Sequence, residues 1–454
     1  MRRVRMKLVI VGGGGFRVPL ICRALSAGPF AGLIGRISLV DVDQIRANAV
    51  ARVCADMPSR RDARTPAVEV EPSLIRALAG ADMVFAAIRS GGTAGRVLDE
   101  RVAIDHGLLG QETVGAGGLS YALRSIPDMM AIARTIRDQA PTAWLINFTN
   151  PVGMVTEAVR EVLGERVIGI CDSPAGLLAR TATACGVTLP FGSLTGVDYL
   201  GVNHLGWLRN LAPEGEDLLP GLLSDPARLQ SFEEGRLFGP SLPRLLGALP
   251  NEYLFYYYHH REARRTVAAA DRTRGEQLHG AQDALFRGLT DTPDPYRLWE
   301  SARREREAGY LAEARPATAE RDESDLAGGG YERIALAAMR SLITGEPADL
   351  ILNVRNGGAI AALPPAAVVE VPARVSSTGA QALPLRPATT HQAGLVAAVK
   401  ASEQALTRAA CTQDRDAALL AFTLHPLIDS AHVATSLLAA YEEAFPRLKG
   451  FWAH

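Results

Sequence analysis

The run Val11-Gly12-Gly13-Gly14-Gly15-Phe16-Arg17 joins an apolar stretch to a helical one. In that setting Gly12 and Gly14 permit a tight turn, and a pyrophosphate can approach backbone amides at a helix N-terminus. Arg17 stands where the third glycine of the usual fingerprint would fall. Asp41 ends the next apolar run, in the place of an acid that holds a ribose hydroxyl, which favours NAD over NADP. A tight turn with no ligand is the alternative reading of the same glycines.

Farther along come Ile88-Arg89-Ser90-Gly91-Gly92, then Arg96, Asp99-Glu100-Arg101 and Gly110-Gln111-Glu112-Thr113. Arg89 and Arg96 can hold an anionic substrate bidentately, or they can pair with Asp99 and Glu100 on the surface. Asn147 and Asn150, within Asn147-Phe148-Thr149-Asn150-Pro151, can reach a sugar hydroxyl or the nicotinamide ribose, or cap a helix. A thiolate at Cys171 and an imidazole at His204 can share one divalent metal whose shell is completed by substrate oxygens. Each can equally be a buried structural residue. Four of the ten tyrosines fall between Tyr253 and Tyr258. A phenol acts as a base only where a metal or cation lowers its pKa, and an aromatic core or interface is the alternative.

These clusters sit at the ends of short β-rich runs. Candidate strands are Lys7 to Val11, Arg36 to Asp41, Ala67 to Glu71, Asp82 to Ile88, Ala143 to Asn147 and Arg166 to Ile170. Helical stretches separate them: Val18 to Ala27, Gln44 to Ala55, Ser73 to Ala79, Ser120 to Gln139 and Val152 to Leu163. Unbroken apolar strands alternating with helices predict an α/β fold, a Rossmann-like doubly wound parallel sheet with helices on both faces. After Ile170 the alternation weakens. Helices are expected over Asp283 to Leu289, Ala314 to Ala319, Tyr331 to Thr344, Gln392 to Ala410, Arg415 to Leu424 and Ser430 to Ala444. Strands are expected over Leu350 to Val354 and Ala367 to Val375, and an irregular excursion over 213–250. The expected organisation is a nucleotide-binding domain over 1–170 and a mixed, mainly helical domain over 171–454 carrying substrate, metal and oligomer contacts.

Composition narrows the function. The chain has 454 residues, 48 Lys+Arg against 49 Asp+Glu and a formal charge of -1. Lys7, Lys400 and Lys449 are its three lysines, so arginine supplies nearly all the positive charge. There is no Gly-Lys-Ser/Thr, hence no P-loop, and catalytic lysine chemistry has few candidates. No basic tract points to nucleic acid. No apolar run approaches the roughly 18 residues of a membrane span, and the basic start leads into a first strand, not a signal peptide. The five cysteines are widely spaced without CxxC, so a reducing cytoplasm is expected.

Taken in order, the Gly-rich start, Asp99-Glu-Arg, Gly110-Gln-Glu-Thr, Asn147-Phe-Thr-Asn-Pro, Cys171-Asp, Asn203-His, Pro250-Asn-Glu-Tyr-Leu, Val354-Arg-Asn-Gly-Gly-Ala-Ile and Val368-Val-Glu-Val-Pro resemble glycoside hydrolase family 4. These are NAD- and manganese-dependent glycosidases related to lactate and malate dehydrogenases. The resemblance implies hydrolysis without two opposed carboxylates. NAD+ takes hydride from sugar C3, the C2 proton is removed, the C1 substituent leaves, water adds and hydride returns. It also implies that Cys171 and His204 are ligands of Mn2+, that Tyr253 accepts the C2 proton, that Glu112 raises its basicity and that Asp172 protonates the leaving group. Arg96 and Asn150 match substrate contacts, Arg89 is an additional anion contact, and Gly12, Gly14, Asp41 and Asn147 fall to the cofactor. A homodimer or homotetramer acting on a phosphorylated disaccharide or glucoside is implied as well.

One departure stands out. Where the family carries arginine in an Arg-Gly-Gly segment before an aromatic, this chain has Leu326-Ala327-Gly328-Gly329-Gly330-Tyr331, which puts recognition of a 6-phosphate in question. Cys171-Asp172 resembles the phospho-α-glucosidase pattern, whereas Arg272-Thr273-Arg274-Gly275-Glu276 and the Gly-Gly-Tyr segment resemble the phospho-β type. The reading favours 6-phospho-β-glucosidase, with the α enzyme or a glycosidase of plain sugars as alternatives. A malate-type or 2-hydroxy-acid dehydrogenase would need a catalytic histidine, for which His106 is the nearby candidate. An NAD-binding sensor without catalysis is a further alternative.

Overall fold

The computed structural model describes residues 6–26, 28–58, 65–309 and 330–452. The expected helix Ala314 to Ala319 and the departure at Ala327 lie outside the described residues.

The first half folds as six parallel strands, β1 (Met6–Val11), β2 (Ile34–Val40), β3 (Ala67–Val70), β4 (Met83–Ala86), β5 (Trp144–Asn147) and β6 (Val167–Gly169), in the order β3-β2-β1-β4-β5-β6. This is the doubly wound order, with the chain reversing direction across the sheet at β1 and β4. The apolar runs have a simple cause. Leu8, Ile10, Phe85, Ile146 and Ile168 enter one core, while Val9, Val11, Val84, Ala86, Leu145 and Val167 enter a second on the opposite face. Successive side chains point to opposite faces, and helices cover both, so neither phase can be polar.

Helices α1 (Val18–Ser26) and α2 (Gln44–Ala55) lie with the first core. Helices α3 (Leu74–Leu78), α4 (Gly92–Asp105), α5 (Gly115–Gln139) and α6 (Val152–Leu163) contribute to the rest, most of them to the second core. Asp43 caps α2 by accepting from the Arg46 amide at 3.0 Å. Helix α4 falls where no helix was expected, and α5 begins five residues before the expected Ser120.

The sheet does not stop at residue 170. Antiparallel strands β7 (Val197–Val202), β8 (Leu205–Leu211), β9 (Leu249–Pro250), β10 (Ala348–Arg355), β11 (Val368–Ser376) and β12 (Gly379–Ala382) extend it, with Asn353 of β10 set against Gly169 of β6. The boundary expected there coincides with the change from parallel to antiparallel pairing, and the sheet runs across it. Helices Thr390–Thr412, Arg415–Leu424 and Ala431–Ala444 supply Leu406, Phe422 and Leu438 to the core that α5 and α6 share. The 213–250 excursion is a series of short helices, Leu219–Leu223, Pro226–Leu229, Glu233–Phe238 and Ser241–Leu246.

Candidate active site

One cavity of about 1430 Å³ opens along the carboxyl ends of β1, β4 and β6, where ligands of doubly wound sheets bind. Gly12, Gly14, Asp41, Arg89, Arg96, Glu112, Asn150, Cys171, Asp172, His204 and Tyr253 all line it. The sequence spreads these groups over more than 240 positions. Strand order brings them together.

At one end lies the glycine turn. Gly12 has φ +88°, and a Cβ there would stand 2.6 Å from the Ala87 carbonyl oxygen, so a side chain would collide with the loop leaving β4. The Gly14 amide donates to Asp41 Oδ2 at 2.8 Å, and the Asp43 amide donates to Asp41 Oδ1 at 2.9 Å. The acid is thereby held at the end of β2 beside the turn. Trp299 Nε1 donates to the Phe16 carbonyl at 2.8 Å, and the Tyr331 hydroxyl donates to the Arg17 carbonyl. Elements of the second half therefore hold the turn that the first half supplies.

The middle of the cavity is an ion cluster. Glu112 sits between Arg96, whose Nη1 lies 2.5 Å from Oε1, and Arg89, which closes on Oε2. Arg96 Nε also meets Glu100 Oε1 at 2.7 Å, one helical turn away. Burial alone would raise the Glu112 carboxyl, but Arg89 and Arg96 outweigh it and hold the group down at about 2. The pairing expected between Arg96 and Glu100 forms, but in the wall of the cavity and not on the surface. Asp99 points away into a buried pair with Arg124 at 2.7 Å.

At the far end, Cys171 follows β6 and is 4% exposed. His204 occupies the turn between β7 and β8 with φ 62°, a left-handed conformation that histidine adopts more readily than most residues. Asn203 fixes that turn: its Oδ1 accepts from the Val152 amide at 3.1 Å, and its Nδ2 donates to Glu370 Oε1 at 3.3 Å. The His204 ring stacks on Tyr253, with centroids 3.7 Å apart and planes 7° from parallel. Asn251 presents Tyr253 by accepting from its amide at 3.0 Å, capping the turn Glu252–Leu254. Asp172 meets Arg17 Nη1 at 3.2 Å.

This end fits a metal. His204 Nδ1 and Asn150 Oδ1 are buried without a hydrogen-bond partner among the described residues, a costly state that a bound ligand relieves. Burial holds the His204 imidazole in its neutral, ligating form, down at about 3 although Glu112 opposes the shift. Burial first, then the charges of Glu370 and Asp172, push the Cys171 thiol well above its usual range, and a divalent cation is what reverses that. Among the described residues no group of three or more His, Cys, Asp or Glu converges to enclose an ion. A metal here would rest on two protein ligands and on oxygens of the substrate or water. The glycine turn with Asp41 likewise fits a dinucleotide.

Asn147 does not reach the cavity and is corrected as a cofactor contact. It is fully buried; its Oδ1 accepts from the Thr149 amide at 3.0 Å and its Nδ2 donates to Thr156 Oγ1 at 3.0 Å. Its amide shapes the loop that delivers Asn150. His106 is also absent from the lining; its Nδ1 contacts the Val102 carbonyl at 2.8 Å. Of the tyrosine cluster, Tyr253 and Tyr256 line the cavity, whereas the Tyr258 hydroxyl accepts from Trp207 Nε1 at 2.9 Å. Sequence reasoning passed over Arg17 as a contact, Arg306 and Glu252. Glu252 carries a carboxyl raised to about 7 by burial and by Glu234, and its position before Tyr253 was the available signal.

The strand order and the glycine turn at the switch point define a doubly wound α/β protein of the dinucleotide-binding class. The family model described as Family 4 glycosyl hydrolase matches residues 7–187, and that described as Family 4 glycosyl hydrolase C-terminal domain matches residues 199–428. The chain belongs to family 4 of the glycosyl hydrolases. It is 29% identical over 453 residues to the probable 6-phospho-beta-glucosidase of Bacillus subtilis, covering 97% of this chain and 96% of the relative. It is 28% identical over 470 residues to a maltose-6'-phosphate glucosidase of the same organism, covering 100% and 98%. Among solved structures, the 6-phospho-beta glucosidase of Thermotoga maritima with manganese, NAD+ and glucose-6-phosphate superposes with a TM-score of 0.80 at 25% identity, covering 98% of this chain and 99% of that one.

Proposed function

We propose that this glycosidase hydrolyses 6-phosphoglucosides, in the first place β-linked ones, with NAD and a divalent metal such as Mn2+ bound in the cavity. The observation that carries the reading is that the unpartnered His204 Nδ1 and the buried Cys171 line the same cavity, with Tyr253 stacked on the imidazole. Bound there, the dinucleotide would take up and return a hydride at sugar C3, and the metal would polarise the C3 oxygen.

The chain's own residues do the rest. The Tyr253 phenol removes the C2 proton, its oxygen carried on a ring fixed against His204. Glu112, ionised at any working pH, adds negative charge to that end of the cavity and so favours proton uptake. Asp172 gives a proton to the oxygen leaving C1, which requires its ion pair with Arg17 to open. Arg96 and Asn150 hold the sugar, with Arg89 as a further anion contact. Water then adds at C1, giving up a proton to the Asp172 carboxylate and so restoring it, and Tyr253 returns its proton to C2. The chain acts as a homodimer or homotetramer in the cytoplasm, where a phosphorylated sugar that cannot cross a membrane is found.

Aryl α- and β-glucosides, each with and without a 6-phosphate, test the reading with NAD+, Mn2+ and a reductant present. Cleavage of the 6-phospho-β substrate with exchange of the C2 proton into solvent is expected. Tyr253→Phe should lower kcat by roughly 10²- to 10⁴-fold. Undiminished cleavage after NAD and metal are stripped refutes the proposal. Cys171-Asp172 and the similarity to the maltose-6'-phosphate enzyme favour the α-linked substrate as a second reading.

A further inference from the structure

We infer that Arg306 is the residue that recognises the phosphate ester of the substrate, an inference that rests on the 6-phosphoglucoside reading. The cavity is crowded with guanidinium groups, and most of them are neutralised. Arg17 meets Asp172, Arg89 and Arg96 share Glu112, and Arg303 is bracketed by Glu300 and Glu307. Arg306, one helical turn beyond Arg303 on the helix Pro295–Ala308, also lines the cavity. Among the described residues its guanidinium has no carboxylate within ion-pair distance and no hydrogen-bond acceptor.

Arg306 lies over Phe16, its guanidinium carbon 4.9 Å from the ring centroid. That contact orients the fork without supplying a counter-charge. The helix itself is fastened to the glycine turn through Trp299, so the side chain is carried on a fixed element. Burial, then repulsion from Arg17 and Arg96, works against its positive charge, and Glu112 offsets this only in part. A half-buried, oriented and unneutralised guanidinium among other cations is suited to an added anion with two charges and several acceptor oxygens.

Two ligands could bring a phosphate here, the sugar ester and the dinucleotide. Arg306 packs over Phe16 of the glycine turn, and the ionised neighbours that act most on it are Arg17, whose side chain reaches away from the turn to Asp172, and the cluster of Arg96, Glu112 and Arg89. The structure therefore assigns the sugar ester to Arg306.

Arg306→Gln keeps the aliphatic stem as far as Cδ and a polar end, and removes the guanidinium with its charge. Binding of glucose 6-phosphate, glucose and NAD+ is measured by calorimetry on wild type, Arg306→Gln and Arg306→Lys, each with Mn2+. The expected result is a loss of glucose 6-phosphate affinity on the order of 30-fold or more in Arg306→Gln. NAD+ and glucose affinities should stay within about two-fold, with the Lys variant in between. The kinetic counterpart is a fall in the preference for 6-phosphoglucoside over glucoside by a similar factor. A variant that keeps that preference overturns the inference and leaves the proposed function standing. A fall in NAD+ affinity as large as that for glucose 6-phosphate also overturns it, placing Arg306 at the pyrophosphate. Wild type that binds glucose 6-phosphate no better than glucose removes the 6-phosphate reading itself, and the inference with it.

Discussion

Glu112 is the counter-ion of two arginines, and glutamine at that position would test how much the clamp contributes. The substitution preserves volume and removes one negative charge from between Arg89 and Arg96. Burial pushes the carboxyl up, the two guanidinium groups pull it down further, and the result is about 2 against an ordinary 4.5. At about 1.4 kcal/mol for each tenfold change in proton affinity, that lowering corresponds to roughly 3 kcal/mol of stability. The folded carboxyl lies below the unfolded one, so the contribution is complete above about pH 4.5 and is lost as pH falls towards 2. Urea midpoints of wild type and Glu112→Gln, without ligands, should therefore differ by about 2–3 kcal/mol at pH 7 and by the same amount at about pH 5.5. The freed arginines should also make inorganic phosphate a stronger stabiliser of the variant than of wild type. A difference below about 0.5 kcal/mol, or one that grows between pH 5.5 and pH 8, refutes the account of the clamp.

Two further predictions concern the scaffold behind the site. Asp99 and Arg124 are 0% and 4% exposed and meet through two parallel contacts of 2.7 and 3.0 Å, so Arg124→Met alone should cost about 3–5 kcal/mol, whereas Asp99→Leu with Arg124→Met should come back to within about 1 kcal/mol of wild type in urea unfolding. A double variant as unstable as the single one would show that the charges are not the source of the loss. His425 is buried, its Nδ1 accepts from the Leu427 amide at 3.1 Å, and burial, helped by His260, lowers it to about 4. Its folded value lies below the usual 6.5, so stability falls as pH drops from about 6.5 to about 4, and His425→Gln should flatten that slope in midpoints measured at pH 7 and pH 5; an unchanged slope would count against it.

The nucleotide half was readable because its physics is local and repetitive. A strand covered on both faces must be apolar along its buried run, as β1 is over residues 8–11, β5 over residues 144–146, and β4 and β6 throughout, and an acid at the end of β2 next to a glycine turn has few other uses. Helix Arg274–Asp291 begins well before the expected Asp283, although its start is written as Thr273 and Glu276, a capping box whose two halves both form. Helix α4 was hidden by Gly91, Gly92 and Gly95 and by charged residues. Asp99 and Glu100 are buried, which becomes favourable only once Arg124, Arg96 and the Gly275 amide meet them. Asn147 misled for the opposite reason. A short amide at the end of a strand can bind a ligand or its own backbone, and only the geometry of Thr149 and Thr156 decides between the two.

The amino-acid sequence alone determined the doubly wound half, the turn that suits a pyrophosphate, and the kinds of side chain the chemistry needs. Those follow from periodicity and residue type, which act over a few neighbours. Tertiary structure decided which of those side chains share a cavity and in what state of charge. Cys171, His204 and Tyr253 line one cavity because β10 and β11 carry the sheet from β6 on to β7 and β8 and one hairpin turn adopts a left-handed histidine. Likewise, that Arg96 is neutralised while Arg306 is not depends on which helix carries each one towards a carboxylate. Charge pairing acts through space, over contacts of a few ångströms between residues far apart in the chain, and strand order sets those contacts.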